Sequence, residues 1–122
     1  ELEWCAQTVP FYDYLLEDPE PAAMLAGGHC IPVKLPQAAR FVWHKLYAST
    51  QRRGFKEKAE KDRQQALVLG GLIANSEAHL LKDAWQAVPP AMAESIRPLS
   101  DTLVATAEGH PELQDVFREC VR

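Results

Sequence analysis

The fold is decided by one stretch of the chain, from Pro36 to Gln51, which reads PQAARFVWHKLYASTQ. Its large apolar residues recur at spacings of three and four, which is the period of one face of an α-helix. These positions are Ala39, Val42, Trp43, Leu46 and Tyr47. Pro36 suits a first helical turn, where its missing N–H costs nothing. The stretch therefore predicts an amphipathic helix over about residues 37–51.

The chain downstream is also helical by its pattern. Gly54 ends the first helix, and a second is predicted over about 56–74, with Gly70-Gly71 inside it for close packing or a bend. Its predicted buried side holds small and large apolar residues, namely Ala59, Ala66, Leu67 or Leu69, Leu72 and Ile73. Cap residues and prolines then delimit further helices over about 76–87, 89–109 with a break at Pro98, and 111–121.

The chain upstream of Pro36 predicts a short helix and a β-hairpin. An apolar run at 11–16 has room for one or two helical turns and stops before Pro19 and Pro21. Segments 22–26 and 29–35 flank Gly27-Gly28, a two-residue loop that is typical of hairpins. The sequence thus predicts an α+β, predominantly helical fold, with a short N-terminal hairpin followed by about five helices.

Length and composition indicate a single domain over residues 1–122, with 47% apolar and 25% charged residues. It divides into a hairpin and loop region (1–36), a helix pair (37–75) and C-terminal helices (76–122). No apolar run is long enough to span a membrane, and we expect no membrane partner. Cys5, Cys30 and Cys120 lack the spacing of a zinc site and are expected to be reduced thiols. These features favour a cytoplasmic protein.

Charge is distributed unevenly along the chain. Residues 34–63 hold nine Lys and Arg against three acidic residues, a net charge of +6, so the remainder carries −10. Such a block is either a surface that faces phosphate groups or a solvated pair of helices. By charge alone the second interpretation is favoured.

Lys45 and Asp62 are the residues of this block that suggest a site. Lys45 lies among apolar helix neighbours, so its ammonium group either reaches solvent or holds an anion. Asp62 has two candidate partners: Lys58, four residues before it on the same helix, or Lys45 on the facing helix. The second arrangement requires the two helices to be antiparallel neighbours, which the short connection at Gly54 favours. The four histidines show no ligand spacing, and we expect them to be ordinary structural residues.

Several segments, taken in order, resemble one bacterial family. They are VPFYDYLLE at 9–17, IPVKLP at 31–36, RFVWHKL at 40–46 and KAEKDRQQA at 58–66. The motifs of the family are, in chain order, an apolar "Pro-Phe-Leu-Asp-Tyr-Leu-Leu" segment, the segment "Val-x-Val-Pro-x-Pro-Glu-Arg-Phe", "His-Lys-Leu", an Arg-rich turn and "Lys-Asp-Leu-x-Gln-Ala". It is an uncharacterised nucleotidyltransferase-fold group, related to abortive-infection and toxin-type nucleotidyltransferases. The match covers about residues 5–75 and departs from the family at Leu35–Ala38 and at Arg63.

The resemblance implies roles for particular residues. Lys45 and Asp62 would be catalytic, and Lys61, Arg52 and Arg53 would contact phosphate or the acceptor. The family's Gly-Ser and paired-Asp strand would lie upstream, so this chain resembles the C-terminal half only. No metal ligand is therefore expected here, and Mg²⁺ or Mn²⁺ would bind only together with the N-terminal half. The nearby acids, Asp13, Asp18 and Glu20, lie in a short helix and a Pro-rich loop and are poor replacements.

The sequence thus supports two functions. In the first, the chain is part of a metal-dependent nucleotidyltransferase that moves a nucleoside monophosphate from a nucleoside triphosphate to an acceptor. The acceptor is RNA, protein or a small molecule, and the chain alone is expected to be inactive. In the second, it is a non-enzymatic helical module that binds nucleic acid or a protein partner through residues 34–63. A homo-oligomer is expected if the predicted hairpin leaves apolar surface exposed.

Overall fold

A computed structural model describes residues 10–52 and 54–122. Its elements are a short helix, a hairpin and five further helices, which confirms the predicted α+β, mostly helical fold. In chain order they are α1 (Tyr12–Leu16), β1 (Glu20–Ala26), β2 (His29–Leu35), α2 (Ala38–Gln51), α3 (Lys56–Gln86), α4 (Pro90–Ile96), α5 (Ser100–Thr106) and α6 (Pro111–Cys120). A 3₁₀ turn, Arg97–Leu99, joins α4 to α5 where Pro98 was expected to interrupt the helix.

Trp43 on α2 lies at the centre of the core. The side chain is fully buried, and its indole N–H donates a hydrogen bond to the carbonyl oxygen of Leu81 at 3.0 Å. The rings of Trp85 and Phe117 lie 4.8 and 5.9 Å from it, centroid to centroid. All five residues that the helical period assigned to the buried face of α2 are buried. The stretch from Pro36 to Gln51 thus contributes one helix face to the hydrophobic core.

The long helix α3 replaces two helices that the sequence predicts separately. It runs from Lys56 to Gln86, but Glu77 has non-helical backbone angles (φ −140°, ψ 51°). The expected boundary near Ser76 is therefore present as a kink inside one element. A kink of this kind lets the second half of α3 follow the core without a connecting loop.

The Gly70-Gly71 pair allows α6 and its leading residue to approach α3 closely. A Cβ atom at Gly71 would lie 2.6 Å from Nδ1 of His110, and one at Gly70 would lie 3.2 Å from Cδ1 of Leu113. Both glycines are buried. Of the two explanations that the sequence left open, close packing is the one that this contact supports.

Small residues also decide which face of α3 is buried. Gly70, Gly71, Ala66 and Ala74 face the neighbouring helices. Leu72, which the periodicity assigned to the buried side, has 67% of its surface exposed, so that prediction is wrong. Where small residues bring two helices close together, the large apolar side chains beside them are left outside the contact.

The hairpin extends from the helices with most of its residues exposed. Gly27 and Gly28 both have positive φ (56° and 78°), as a type I′ turn requires. Four large apolar side chains are exposed on its two strands, namely Met24, Leu25, Ile31 and Leu35. A two-stranded sheet is marginally stable by itself. The hairpin therefore leaves apolar surface uncovered, as the sequence led us to expect.

Proline positions make the two outer edges of this hairpin unequal. From the Ala26–His29 pair beside the turn, hydrogen-bonded and non-hydrogen-bonded pairs alternate along the ladder. Pro32 pairs with Ala23 and so falls in a non-hydrogen-bonded pair, where a backbone nitrogen points outward. The outer edge of β2 thus lacks a donor at its middle, whereas the proline of β1, Pro21, lies near the strand start, so Ala23 and Leu25 keep outward N–H groups on the edge of β1.

No helix among the described residues is long and apolar enough to cross a membrane.

Candidate functional site

The helices α2 and α3 are antiparallel neighbours, as the short connection between them predicts. Arg52 at the end of α2 contacts Asp62 near the start of α3, whereas Trp43, earlier on α2, contacts Leu81 far along α3. The connection is tight because Gly54 takes a left-handed conformation (φ 83°). This geometry brings the cations at the C-terminal half of α2 to the first turns of α3.

Asp62 accepts hydrogen bonds from two cations of this helix pair. Nζ of Lys45 donates to Oδ1 at 3.1 Å, and Nε of Arg52 donates to Oδ2. The predicted contact between Lys45 and Asp62 is therefore present, and Arg52 lies beside it as expected. The alternative pair of Asp62 with Lys58 is absent, because the Lys58 ammonium lies over the ring of Phe55 instead.

Burial strengthens the attraction between the charged groups of this cluster. The Asp62 side chain is 6% exposed, and those of Lys45 and Arg52 are 24% and 38% exposed. Burial raises the pKa of the Asp62 carboxyl, but the hydrogen bonds and charges of Arg52 and Lys45 outweigh it, so the pKa lies below its ordinary value. Asp62 is thus held as a carboxylate, and the cluster carries two positive charges against one negative.

The donors of Lys45 are not all used by this contact. An ammonium group has three N–H donors, and Asp62 accepts one of them. The Nζ atom also lies 5.4 Å from the centroid of the Phe41 ring, a cation–π contact that limits its orientation. Lys45 is therefore a fixed, partly exposed cation with donor capacity for a further anion.

Arg52 and Lys61, two of the predicted phosphate-binding residues, line an open cleft beside the turn. Its volume is about 700 Å³. The charged residues that line it are Arg52, Lys56, Glu57, Glu60, Lys61 and Arg63. Neither Lys45 nor Asp62 lines this cleft, so Arg52 is the residue that the cleft and the buried cluster share. Arg53, the remaining predicted contact, lies outside the described residues.

His44 was expected to be an ordinary structural histidine, and its contacts agree. It is buried beside Lys45, and its Nε2 lies 3.0 Å from the carbonyl oxygen of Pro10. The Tyr12 ring stacks on it at a centroid distance of 6.2 Å. Burial lowers the pKa of His44, the bond to Pro10 raises it, and the Lys45 charge lowers it, so the pKa falls below its usual value. His44 thus anchors the segment before α1 to α2.

The described residues do not form a divalent metal site. No three of their His, Cys, Asp and Glu side chains lie together as ligands would. Asp62 is already engaged by two cations, and Mg²⁺ requires carboxylate oxygens that are free to coordinate it. This part of the chain therefore does not fit the divalent metal that the resemblance implies.

Comparison with known families identifies the class. A family model described as nucleotidyltransferase matches residues 1–89, which include α1, the hairpin, α2 and the whole of α3. The chain therefore belongs to this nucleotidyltransferase family. No curated protein and no solved structure matches the chain.

Proposed function

We propose that this chain supplies the phosphate-binding helix pair of a metal-dependent nucleotidyltransferase. The enzyme would transfer a nucleoside monophosphate from a nucleoside triphosphate to an acceptor such as RNA, a protein or a small molecule. The observation that carries the proposal is that Lys45 and Arg52 both form ion pairs with the buried carboxylate of Asp62. The family match supports nucleotidyl transfer as the reaction.

The chemistry needs fixed positive charge where negative charge accumulates. In phosphoryl transfer the protein contributes mainly positioning and electrostatic stabilisation of the oxygens around the reacting phosphorus. Lys45 would contact the triphosphate with its remaining N–H donors, while Asp62 fixes its direction and favours its charged form. Arg52 would contact the triphosphate from the other side of Asp62, and Lys61 in the adjoining cleft would contact phosphate or the acceptor. Arg53 stays a predicted contact of the same kind.

A divalent metal, Mg²⁺ or Mn²⁺, would neutralise and orient the triphosphate when bound. We infer that its carboxylate ligands come from a segment other than the described residues, in line with the resemblance to a C-terminal half. The role of Lys45, Arg52 and Asp62 is then to bind and orient phosphate oxygens. A cytoplasmic location belongs to the same proposal, since Cys30 and Cys120 are free thiols.

The test measures transfer of labelled nucleotide by the complete protein. Lys45→Ala and Asp62→Ala should each abolish transfer, while circular dichroism shows that the fold is retained. Lys82→Ala is a matched control, because Lys82 is a partly exposed lysine on α3, the helix of Asp62, and its partner is Glu119. Full activity of both site variants would show that these residues are not the site.

A non-enzymatic role in binding a polyanion is the second candidate. It is favoured by the cleft that Lys56, Lys61 and Arg63 line within the +6 segment. In that case nucleic acid or an acidic protein would bind with a strong salt dependence, and nucleoside triphosphates alone would not bind. Isothermal titration with each ligand therefore separates the two functions.

A further inference from the structure

Phe55 is an exposed aromatic ring held in a defined position at the α2–α3 turn. Its surface is 59% exposed, the largest fraction among the exposed aromatic residues that the structure describes. Its N–H donates to the carbonyl oxygen of Arg52 at 3.4 Å, and its own carbonyl oxygen accepts from Ala59 at 3.0 Å. These two hydrogen bonds fix the backbone of Phe55, and the ring that it carries is exposed to solvent.

Lys58 accompanies this ring. Its Nζ lies 5.1 Å from the centroid of Phe55. Phe55 is the residue that precedes the first turn of α3, and its backbone angles are not helical (φ −122°, ψ 65°). Its backbone bond to Arg52 places Phe55 next to a residue of the Lys45–Asp62–Arg52 cluster.

The Phe55 ring combines an exposed apolar face with one neighbouring cation, Lys58. Exposed apolar area is unfavourable, and Phe55 contacts no other aromatic ring in the described chain. The same two groups suit a nucleotide, since bases stack on aromatic side chains and their phosphates pair with lysine. The acids of the first turns are Glu57 and Glu60, and Glu60 is bound to Arg63 at 2.8 Å. Residues 34–63, which include Phe55 and Lys58, carry a net charge of +6.

We propose that Phe55 and Lys58 form a stacking site for an unpaired nucleobase and its phosphate. The base belongs either to the incoming nucleoside triphosphate or to the end of a single-stranded nucleic acid acceptor. The inference rests on the proposed function in that the base is brought beside the cluster that binds the triphosphate.

The experiment compares three probes by fluorescence anisotropy or titration calorimetry: inorganic triphosphate, a set of nucleoside triphosphates, and a short single-stranded oligonucleotide. Phe55→Ala should weaken binding of a base-containing probe by about five- to a hundredfold. It should leave inorganic triphosphate binding unchanged, because that probe has no base. Phe55→Trp should restore binding, since an indole also stacks on bases. Lys58→Gln should lower the slope of log Kd against log salt for the oligonucleotide by about one.

The probes distinguish the two sources of the base. Loss of nucleoside triphosphate binding assigns the site to the substrate nucleotide, and loss of oligonucleotide binding alone assigns it to the acceptor. Leu72→Ala is the control, since Leu72 is 67% exposed on α3, against 59% for Phe55, and lies far from the turn. Unchanged binding of both base-containing probes by Phe55→Ala would overturn the inference.

The proposed function can fail separately. If Lys45→Ala leaves inorganic triphosphate binding and transfer intact, the phosphate site is wrong, whatever Phe55→Ala does. If instead Lys45→Ala abolishes triphosphate binding and Phe55→Ala changes nothing, the stacking site is wrong and the phosphate site stands.

Discussion

Replacing Asp62 with asparagine should destabilise the protein measurably. The substitution keeps the shape of the side chain but leaves Lys45 and Arg52 without a negative partner. Removing one partner of a fully buried ion pair costs about 3–5 kcal/mol. The two cations here remain 24% and 38% exposed, so solvent screens part of that loss. We therefore expect a smaller loss of unfolding free energy, about 1–3 kcal/mol.

The effect should depend on pH with a definite sign. The folded-state pKa of Asp62 lies below the ordinary value of 3.8. The stability that this carboxylate contributes is therefore fully present above about pH 5, where both states are ionised. It is lost as the pH falls below the unfolded value and through the folded pKa. The difference between wild type and Asp62→Asn should be constant from pH 7 to about 5 and should shrink below about 4.

Urea unfolding followed by tryptophan fluorescence measures this difference, because Trp43 is fully buried in the native state. In thermal unfolding, each kcal/mol should lower Tm by roughly 3–6 °C for a chain of this length. Asp101→Asn is the control, since the Asp101 side chain is 88% exposed. A loss no larger than that of the control, or one unchanged between pH 7 and pH 3, would refute the reasoning.

Three further predictions follow from the fold and the site. This chain alone, incubated with labelled nucleotides, Mg²⁺ or Mn²⁺ and a pool of acceptors, should transfer no label, because its described residues bring no three metal-ligating side chains together. Metal-dependent transfer would contradict this. Gly71→Ala should cost about 1–3 kcal/mol in urea unfolding, because its Cβ would lie 2.6 Å from the His110 ring and something must shift. Gly70→Ala should cost less, because its Cβ needs the Leu113 side chain to give by only a few tenths of an ångström and alanine favours helix. Equal effects would show that the closer contact does not matter. Light scattering should show a dimer or a larger species, since the edge of β1 is open, and Leu25→Lys should dissociate it. A monomer at all concentrations would contradict this prediction.

The elements that the sequence predicts well are those whose signal is local. The period of α2 identifies its buried face without any knowledge of the partner helices. The Gly27-Gly28 dipeptide identifies the turn because few residues adopt positive φ twice in succession. Pro98 and Pro111 mark a break and a helix start for equally local reasons. Each of these features depends on backbone geometry within a few residues.

The prediction for α3 is less complete because its packing depends on distant residues. The burial of Gly70 and Gly71 follows from His110 and Leu113, which lie some forty residues later. A periodicity based on hydrophobicity alone assigns Leu72 to the buried face of α3, because leucine is more apolar than glycine. Only the position of α6 shows that the small residues face the core.

The candidate site was predicted in part. The contact of Lys45 with Asp62 was expected from the resemblance and from the short turn, and it is present. The simultaneous bond from Arg52 to the same carboxylate depends on the turn conformation around Gly54, which the sequence does not specify in detail. The catalytic roles of these residues stay predictions, and so does the boundary between the hairpin region, the helix pair and the C-terminal helices.

The number of cations around Asp62 favours an anion site over a purely structural ion pair. Replacing a buried ion pair or triad with apolar residues is often neutral or stabilising, so a charged cluster of this kind is weak evidence for a role in stability. Here two cations converge on Asp62, so the cluster retains a positive charge that is only partly solvated. Confining that charge at the end of a helix pair is unfavourable for the isolated chain. An anion that accepts the remaining donors of Lys45 and Arg52 would offset the cost, and under the proposed function that anion is a triphosphate.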